Sequence, residues 1–369
     1  MAAFEEVVSE VRAFVGRTGA GDAPVDDDAF EQLALRVFAA QFELDAPFRA
    51  LCERRGAVPG RVDDWRRIPA VPTAAFRSLD FACAPGGLTF LTSGTTGGAE
   101  RRGRHPVPRP EVYREGAIAH FRRMVLPDGI RPRLVALLAG PDLLPQSSLV
   151  RMVDWIREDL AADAECAWLV GRGPFDPAQA ADRIEEEARR GAPICLVGVR
   201  VLFTTLLEHC RIAGRTLVLP ADSRVVDTGG PKGGRALSDA GFLAAAWHVL
   251  GVPAWSCVNE YGMTELCSQF YDDVMVSRFA GSNAKRRKLG PAWTRTRAVD
   301  PSTLEAVPDG EPGILCHVDL ANVGSVLAVQ TEDVGIREPD GRFALRGRLP
   351  GAPARGCALA LADLLGETA

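Results

Sequence analysis

Apolar residues recur at helical spacing over 3–15 and 27–42, joined by a Gly/Asp/Pro linker around 19–26, and a third helix is expected over 45–55. The stretch Ile68-Pro69-Ala70-Val71-Pro72 reads as extended, because a residue before proline is pushed out of the α region. From 88 onward the pattern alternates. Strand-length apolar runs lie at 88–92, 133–139, 165–170, 193–198, 216–219, 223–227 and 253–258. Helical patterns fill 110–124, 146–160, 177–190, 200–212 and 236–250. This order predicts an α/β fold, a mostly parallel sheet with helices on both faces. After residue 290 it gives way to short β runs with Pro/Gly/Asp turns, ending near Arg348. The expected organisation is one large unit, 1–349, with a helical N-terminal part over 1–60, then a short tail, 350–369.

Two of these strands run into segments rich in chemistry. Leu88 to Leu91 leads into Thr92-Ser93-Gly94-Thr95-Thr96-Gly97-Gly98. Glycines tolerate the positive φ of an anion-binding nest, and Ser93, Thr95 and Thr96 add uncharged donors for phosphate oxygens. The segment is not a Walker loop, since no lysine follows it. The run 253–258 leads into Asn259-Glu260-Tyr261-Gly262-Met263-Thr264-Glu265, whose ring, hydroxyl and carboxylate suit a purine face, an α-phosphate and Mg²⁺. A solvated turn, or a strand-to-helix junction with Thr264 as N-cap, would explain either segment alone. Both in this order point to ATP activation of a carboxylate.

Ligands in such folds bind at the carboxyl ends of the strands. Asp227-Thr228-Gly229-Gly230-Pro231-Lys232-Gly233-Gly234 comes directly after 223–227 and is expected on the same edge as the other two segments. It reads either as backbone passing flat beside a planar base or as a helix-entry turn ahead of Leu237. In Gln330-Thr331-Glu332-Asp333-Val334-Gly335 a carboxylate is placed to accept hydrogen bonds from ribose hydroxyls, with a β-turn aspartate as the equal alternative.

Composition changes this picture only by exclusion. At 369 residues and 47% apolar the chain can bury a large core. A net charge of −5 without a polybasic block gives no support for nucleic-acid binding. Apolar stretches are strand-length and the N-terminus is acidic and amphipathic, so neither a membrane span nor a signal peptide is expected. Nine scattered cysteines with no C-x-x-C pair fit free thiols in a reducing, cytoplasmic setting. Only three basic residues are lysine, Lys232, Lys285 and Lys288.

With these segments the chain resembles the adenylate-forming superfamily of acyl-CoA synthetases, peptide-synthetase adenylation domains and beetle luciferase. Within it the sequence is most similar to the LuxE-type acyl-protein synthetases of bacterial bioluminescence. The resemblance extends through Pro145-Gln146-Ser147-Ser148-Leu149, Gly290-Pro291-Ala292-Trp293, Asp300-Pro301-Ser302-Thr303-Leu304-Glu305, Asp319-Leu320-Ala321-Asn322 and Arg355-Gly356-Cys357-Ala358-Leu359. It implies an adenylate-forming large-domain fold using ATP and Mg²⁺. Ser93, Gly94, Thr95, Thr96 and Gly97 would wrap the β- and γ-phosphates, and Gly229 and Gly230 would border an adenine on which Tyr261 stacks. Thr264 would contact the α-phosphate, Glu265 would hold Mg²⁺, Asp333 would bind ribose, and Arg348 would reach ribose or phosphate.

Two departures stand out. The Pro-Lys that usually comes after the hydroxyl-rich turn is replaced by Gly98-Ala99-Glu100-Arg101-Arg102, and only about twenty residues lie beyond Arg348, too few for the superfamily's swinging C-terminal domain and its catalytic lysine. Lys232 is the candidate substitute. The resemblance makes Cys357 the thiol that takes a fatty acyl group from the adenylate as a thioester and passes it to a partner protein such as an acyl reductase. Its neighbour Arg355 favours the thiolate; a buried small hydrophobe is the plain alternative. A CoA ligase of the phenylacetate type and a non-catalytic ATP-binding scaffold remain open. His105 and Trp293 carry no role that the sequence supports.

Overall fold

The computed structural model describes residues 2–19, 26–92, 102–163, 165–230, 236–282 and 285–349. Three helices come first, α1 (Ala2–Gly19), α2 (Asp27–Leu44) and α3 (Ala46–Arg54). In α1 the buried set Phe4, Val7, Val8, Val11, Phe14 and Val15 is the stripe its spacing predicts. Asp26 caps α2 by accepting from the Ala29 N–H at 3.0 Å, and Asp45 both ends α2 and caps α3, accepting from the Phe48 N–H at 2.9 Å. Gln41 is fully buried. Its amide donates to the carbonyls of Asn322 (2.9 Å) and Val323 (3.2 Å) and accepts from the Leu327 N–H (2.9 Å), fastening α2 to a loop far along the chain.

Next come β1 (Val71–Pro72), β2 (Leu88–Leu91), β3 (Arg104–Val107) and α4 (Pro110–Val125). The α/β alternation then runs β4 (Arg133–Ala139), α5 (Ser148–Leu160), β5 (Cys166–Val170), α6 (Pro177–Ala188), β6 (Ile194–Val199), α7 (Arg200–Ile212), β7 (Arg224–Thr228), α8 (Asp239–Ala245) and β8 (Cys257–Tyr261). The remainder is β-rich: β9 (Phe270–Asp272), α9 (Val274–Phe279), β10 (Lys288–Leu289), β11 (Thr294–Val299), β12 (Pro312–Asp319), β13 (Ala328–Arg337) and β14 (Phe343–Arg348). One twelve-stranded sheet runs β11-β12-β13-β14-β10-β9-β8-β7-β6-β4-β5, with β1 parallel to β13. The half from β8 to β5 is parallel, and the half from β8 to β11 is antiparallel. Every residue of β6, and of β4 after its first, is buried, so both faces of the parallel half are covered, as its unbroken apolar runs require.

Three expectations are corrected. Residues 216–219 form no strand; the Leu217 and Leu219 N–H groups cap the carbonyls of Val249 and Leu250, at 2.7 and 2.9 Å, closing a helix end. The strand expected at 253–258 begins only at Cys257 and extends through Tyr261, because Pro253 and a short helical turn precede it. Most consequentially, β2 is not in the main sheet. It pairs antiparallel with β3 as a separate hairpin, Leu91 opposite Arg104, so sheet membership does not bring its end to the common edge.

Candidate active site

At the carboxyl end of β7 and β8, Thr228 lies opposite Glu260 in parallel register. Below them runs a chain of alternating charge that joins the two halves of the sheet. Arg200 donates to Asp227 at 2.5 Å and Asp239 at 2.9 Å; the Asn259 amide donates to Asp227 Oδ2 at 2.8 Å and to the Gly229 carbonyl at 2.9 Å. Lys288 Nζ donates to both the side-chain and backbone oxygens of Asn259 at 2.6 Å and pairs with Asp272 at 2.9 Å. Each buried charge has an opposite partner, as burial demands. The result is a fixed carbonyl at Gly229, whose φ of +85° calls for glycine. A Cβ built at Gly229 or Gly230 meets nothing within 4 Å, so the loop borders open space.

Glu260 is buried beside this loop and accepts a hydrogen bond from the Thr228 hydroxyl. Gly262 leaves room for it: a Cβ there would stand 2.3 Å from Glu260 Oε1, so a larger residue would push the carboxyl aside. Burial pushes the Glu260 carboxyl up from 4.5 to about 7, against the pull of Thr228 and Lys288 and with a push from Asp227. A raised carboxyl pKa stabilises the fold below the unfolded value and ceases to do so as pH rises through the folded one. Relative to Glu260→Gln, wild type should therefore lose up to roughly 3 kcal/mol between pH 4.5 and pH 7.5. Urea unfolding of the two proteins across that range measures it; parallel curves would remove Glu260 as the titrating group. Asp45 and Asp319, both pushed up to about 6 by burial, are common to both proteins and cancel.

Tyr261, Asp333 and Arg348 meet in space. The Tyr261 hydroxyl donates to Asp333 Oδ2 at 2.9 Å, and Arg348 Nε lies 3.3 Å from Asp333 Oδ1 while its guanidinium also pairs with Glu332. Register explains it, since Asp333 opposes Arg348 in the β13–β14 pair. The Tyr261 ring is 9% exposed and packs at 5.7–5.9 Å from Phe270, His317 and Phe343, so its position is set from beneath.

Thr264 and Glu265 sit in a buried turn held by its backbone. The Thr264 carbonyl accepts from His105 Nδ1 at 2.6 Å, and the Glu265 carbonyl accepts from the Asn322 amide at 2.9 Å. Asp319 accepts from the Cys267 N–H (3.0 Å) and the Ser268 hydroxyl (2.7 Å), and Trp293 Nε1 donates to the same hydroxyl at 2.9 Å. His105, Trp293, Asp319 and Asn322 are thus the straps of the segment. Asp319, Asn322 and Trp293 stood in motifs already noted, but strap contacts have no spacing to read.

Ser93, Gly94, Thr95, Thr96, Gly97, Lys232 and Cys357 lie outside the described residues. Among the described residues no group of three His, Cys, Asp or Glu side chains can hold a metal on its own. One buried carboxylate, Glu265, next in sequence to Thr264, fits an ion that arrives with nucleotide phosphates, the way Mg²⁺ is commonly held. All eight described cysteines are free, and burial pushes every one of their thiols up, Cys257 to about 12. No described helix is long and apolar enough to cross a membrane.

The fold is shared with solved structures of 2-hydroxyisobutyryl-CoA ligase. The postadenylation-state complex with R3-HIB-AMP superposes with a TM-score of 0.64 at 16% identity, covering 88% of this chain and 68% of that one. The complex with 2-HIB-AMP and CoA in the thioesterification state gives 0.63 at 16% identity, over 88% and 69%. With this fold, the family match at residues 173–366 makes the chain an AMP-forming ligase of the adenylate-forming class. Residues 173–366, more than half of the sequence, match the family described as acyl-protein synthetase, LuxE, and the chain belongs to that family. The long-chain-fatty-acid–luciferin-component ligase of Vibrio harveyi is 23% identical over 329 residues, 86% of this chain and 82% of that enzyme. Its counterpart from Aliivibrio fischeri is 32% identical over 115 residues, which span 29% of this chain and only 28% of that enzyme.

Proposed function

We propose that this protein activates a fatty acid with ATP to an acyl adenylate and then carries the acyl group on Cys357 as a thioester for a reductase-like partner protein. The observation that supports it best is the convergence of Tyr261, Asp333 and Arg348 beside the open Thr228–Gly230 loop, in a chain of the LuxE family. Gly229, Gly230 and Tyr261 border the adenine. Asp333, a carboxylate with lone pairs left after its bonds to Tyr261 and Arg348, takes the ribose hydroxyls. Ser93, Gly94, Thr95, Thr96 and Gly97 surround the outer phosphates, Thr264 meets the α-phosphate, and Lys232 supplies cationic charge. When Mg²⁺ is bound, with Glu265 as its protein ligand, it neutralises phosphate charge.

The fatty acid's carboxylate oxygen bonds to the α-phosphorus as the bond to the pyrophosphate oxygen breaks. That displacement needs positioning and charge neutralisation more than a general base, which suits a site of hydroxyls, amides and one carboxylate. The Cys357 thiolate then adds to the acyl carbonyl, its proton lost to solvent, and AMP leaves. The names of the Vibrio harveyi and Aliivibrio fischeri enzymes, which speak of long-chain fatty acid and a luciferin component, agree with this substrate class and with an acyl-accepting partner.

The deciding measurement is ATP–pyrophosphate exchange over a panel of short, long-chain and aromatic acids. Exchange driven by long-chain acids, with ATP-dependent, hydroxylamine-sensitive labelling of the chain, is the expected result. Soluble acyl-CoA without protein labelling would make it a CoA ligase, and no exchange with any acid would remove the adenylation reading altogether.

A further inference from the structure

We propose that His105 is a positioning residue that locks the β2–β3 hairpin to the Thr264–Glu265 turn and holds the Thr264 peptide in the orientation nucleotide activation requires. This deepens the nucleotide reading above and rests on it.

His105 is fully buried on a short strand whose neighbour Arg104 is exposed. A Leu or Val would fill such a position without the cost of burying an imidazole. The ring is used for its hydrogen. Burial pushes its pKa down to about 4, opposed by its contacts with the Thr264 carbonyl and Asn322, so it is neutral at physiological pH and carries one proton. A carbonyl only accepts, so the 2.6 Å contact to Thr264 O places that proton on Nδ1. Phe76 fixes the ring plane edge-on at 5.7 Å.

The second half of the clamp is Asn322. Its amide donates to the next carbonyl, that of Glu265, at 2.9 Å and to the Val326 carbonyl at 3.0 Å. Two buried side chains from distant parts of the chain therefore hold two successive carbonyls, and two fixed carbonyls define the peptide planes on either side of Glu265. One rung along from His105 the hairpin is pinned as well. The Leu91 N–H donates to the Gln146 carbonyl at 3.0 Å, and Thr92 and Gly103 bond each other twice, at 2.7 and 2.9 Å. Since β2 does not belong to the main sheet, the His105 hydrogen bond helps to register the hairpin against the turn after β8.

The test compares three variants. Asn in place of His105 puts an amide N–H close to where Nδ1 stands, whereas Gln extends toward Nε2, and Leu fills the space without a donor. His105→Gln and His105→Leu should lose roughly 10- to 100-fold in kcat/KM for Mg·ATP, while KM for the acid stays within about twofold. His105→Asn should regain most of that loss. In hydrogen–deuterium exchange, read on the full chain without substrates, amides of residues 262–268 should exchange faster in the Gln and Leu variants and near the wild-type rate in the Asn variant. Unchanged exchange in His105→Leu, or equal damage in all three variants, overturns the proposal. Because the exchange readout needs no turnover, it decides the role of His105 even if wild type proves inactive with every acid, a result that would instead sink the adenylation reading.

Discussion

Cys357→Ser should leave acid-dependent pyrophosphate release intact and abolish hydroxylamine-sensitive acyl labelling of the chain. The two half-reactions need different groups. Adenylation calls on phosphate donors, a carboxylate for the metal and a pocket for the acid, none of which is Cys357. Thioester formation calls on a thiolate. Burial pushes every described thiol up, which leaves each of those eight a poor nucleophile near neutral pH. Arg355, two positions from Cys357, acts in the opposite sense. A serine hydroxyl without a base is a far weaker nucleophile, so labelling should fall to background. Labelling that survives in Cys357→Ser would move the acceptor to another cysteine or to the partner protein.

Glu265→Gln should lower acid-dependent ATP–pyrophosphate exchange by roughly 10²-fold, the usual scale for losing one preorganised electrostatic group. The turn is also held through the Glu265 carbonyl by Asn322, and glutamine keeps both that carbonyl and the side-chain shape, so the substitution removes the charge and leaves this backbone support in place. The Mg²⁺ concentration for half-maximal exchange should rise. Wild-type exchange at ordinary Mg²⁺ levels would return Glu265 to a structural role in a buried turn.

The parallel half of the sheet was legible because burial on both faces leaves β4 and β6 as unbroken apolar runs between amphipathic helices. The pairing of β2 with β3 was not, because a four-residue apolar strand has the same appearance in a hairpin and in a large sheet. At the site, glycine loops and the Tyr261–Glu265 segment could be singled out from residue chemistry alone. What supports them could not. Lys232 drew notice for its glycine neighbours, yet the described lysine beneath the loop is Lys288, brought there by its pairing opposite Asp272 in the β9–β10 ladder. His105, Asn259 and Asn322 act through contacts with residues distant in sequence, which no periodicity encodes.

Gln41 has a consequence for synthesis. Its amide is satisfied by carbonyls 281 and 282 residues further on, and Val71 pairs with Val329. At translation rates of 5–20 residues per second, roughly 15 to 60 s separate the emergence of Gln41 from that of its partners. The first two helices can form locally as they leave the ribosome, but a buried amide without partners disfavours their final packing. The final packing of these helices therefore waits until 281 further residues have been made, and during that interval their apolar stripes are natural ligands for a chaperone.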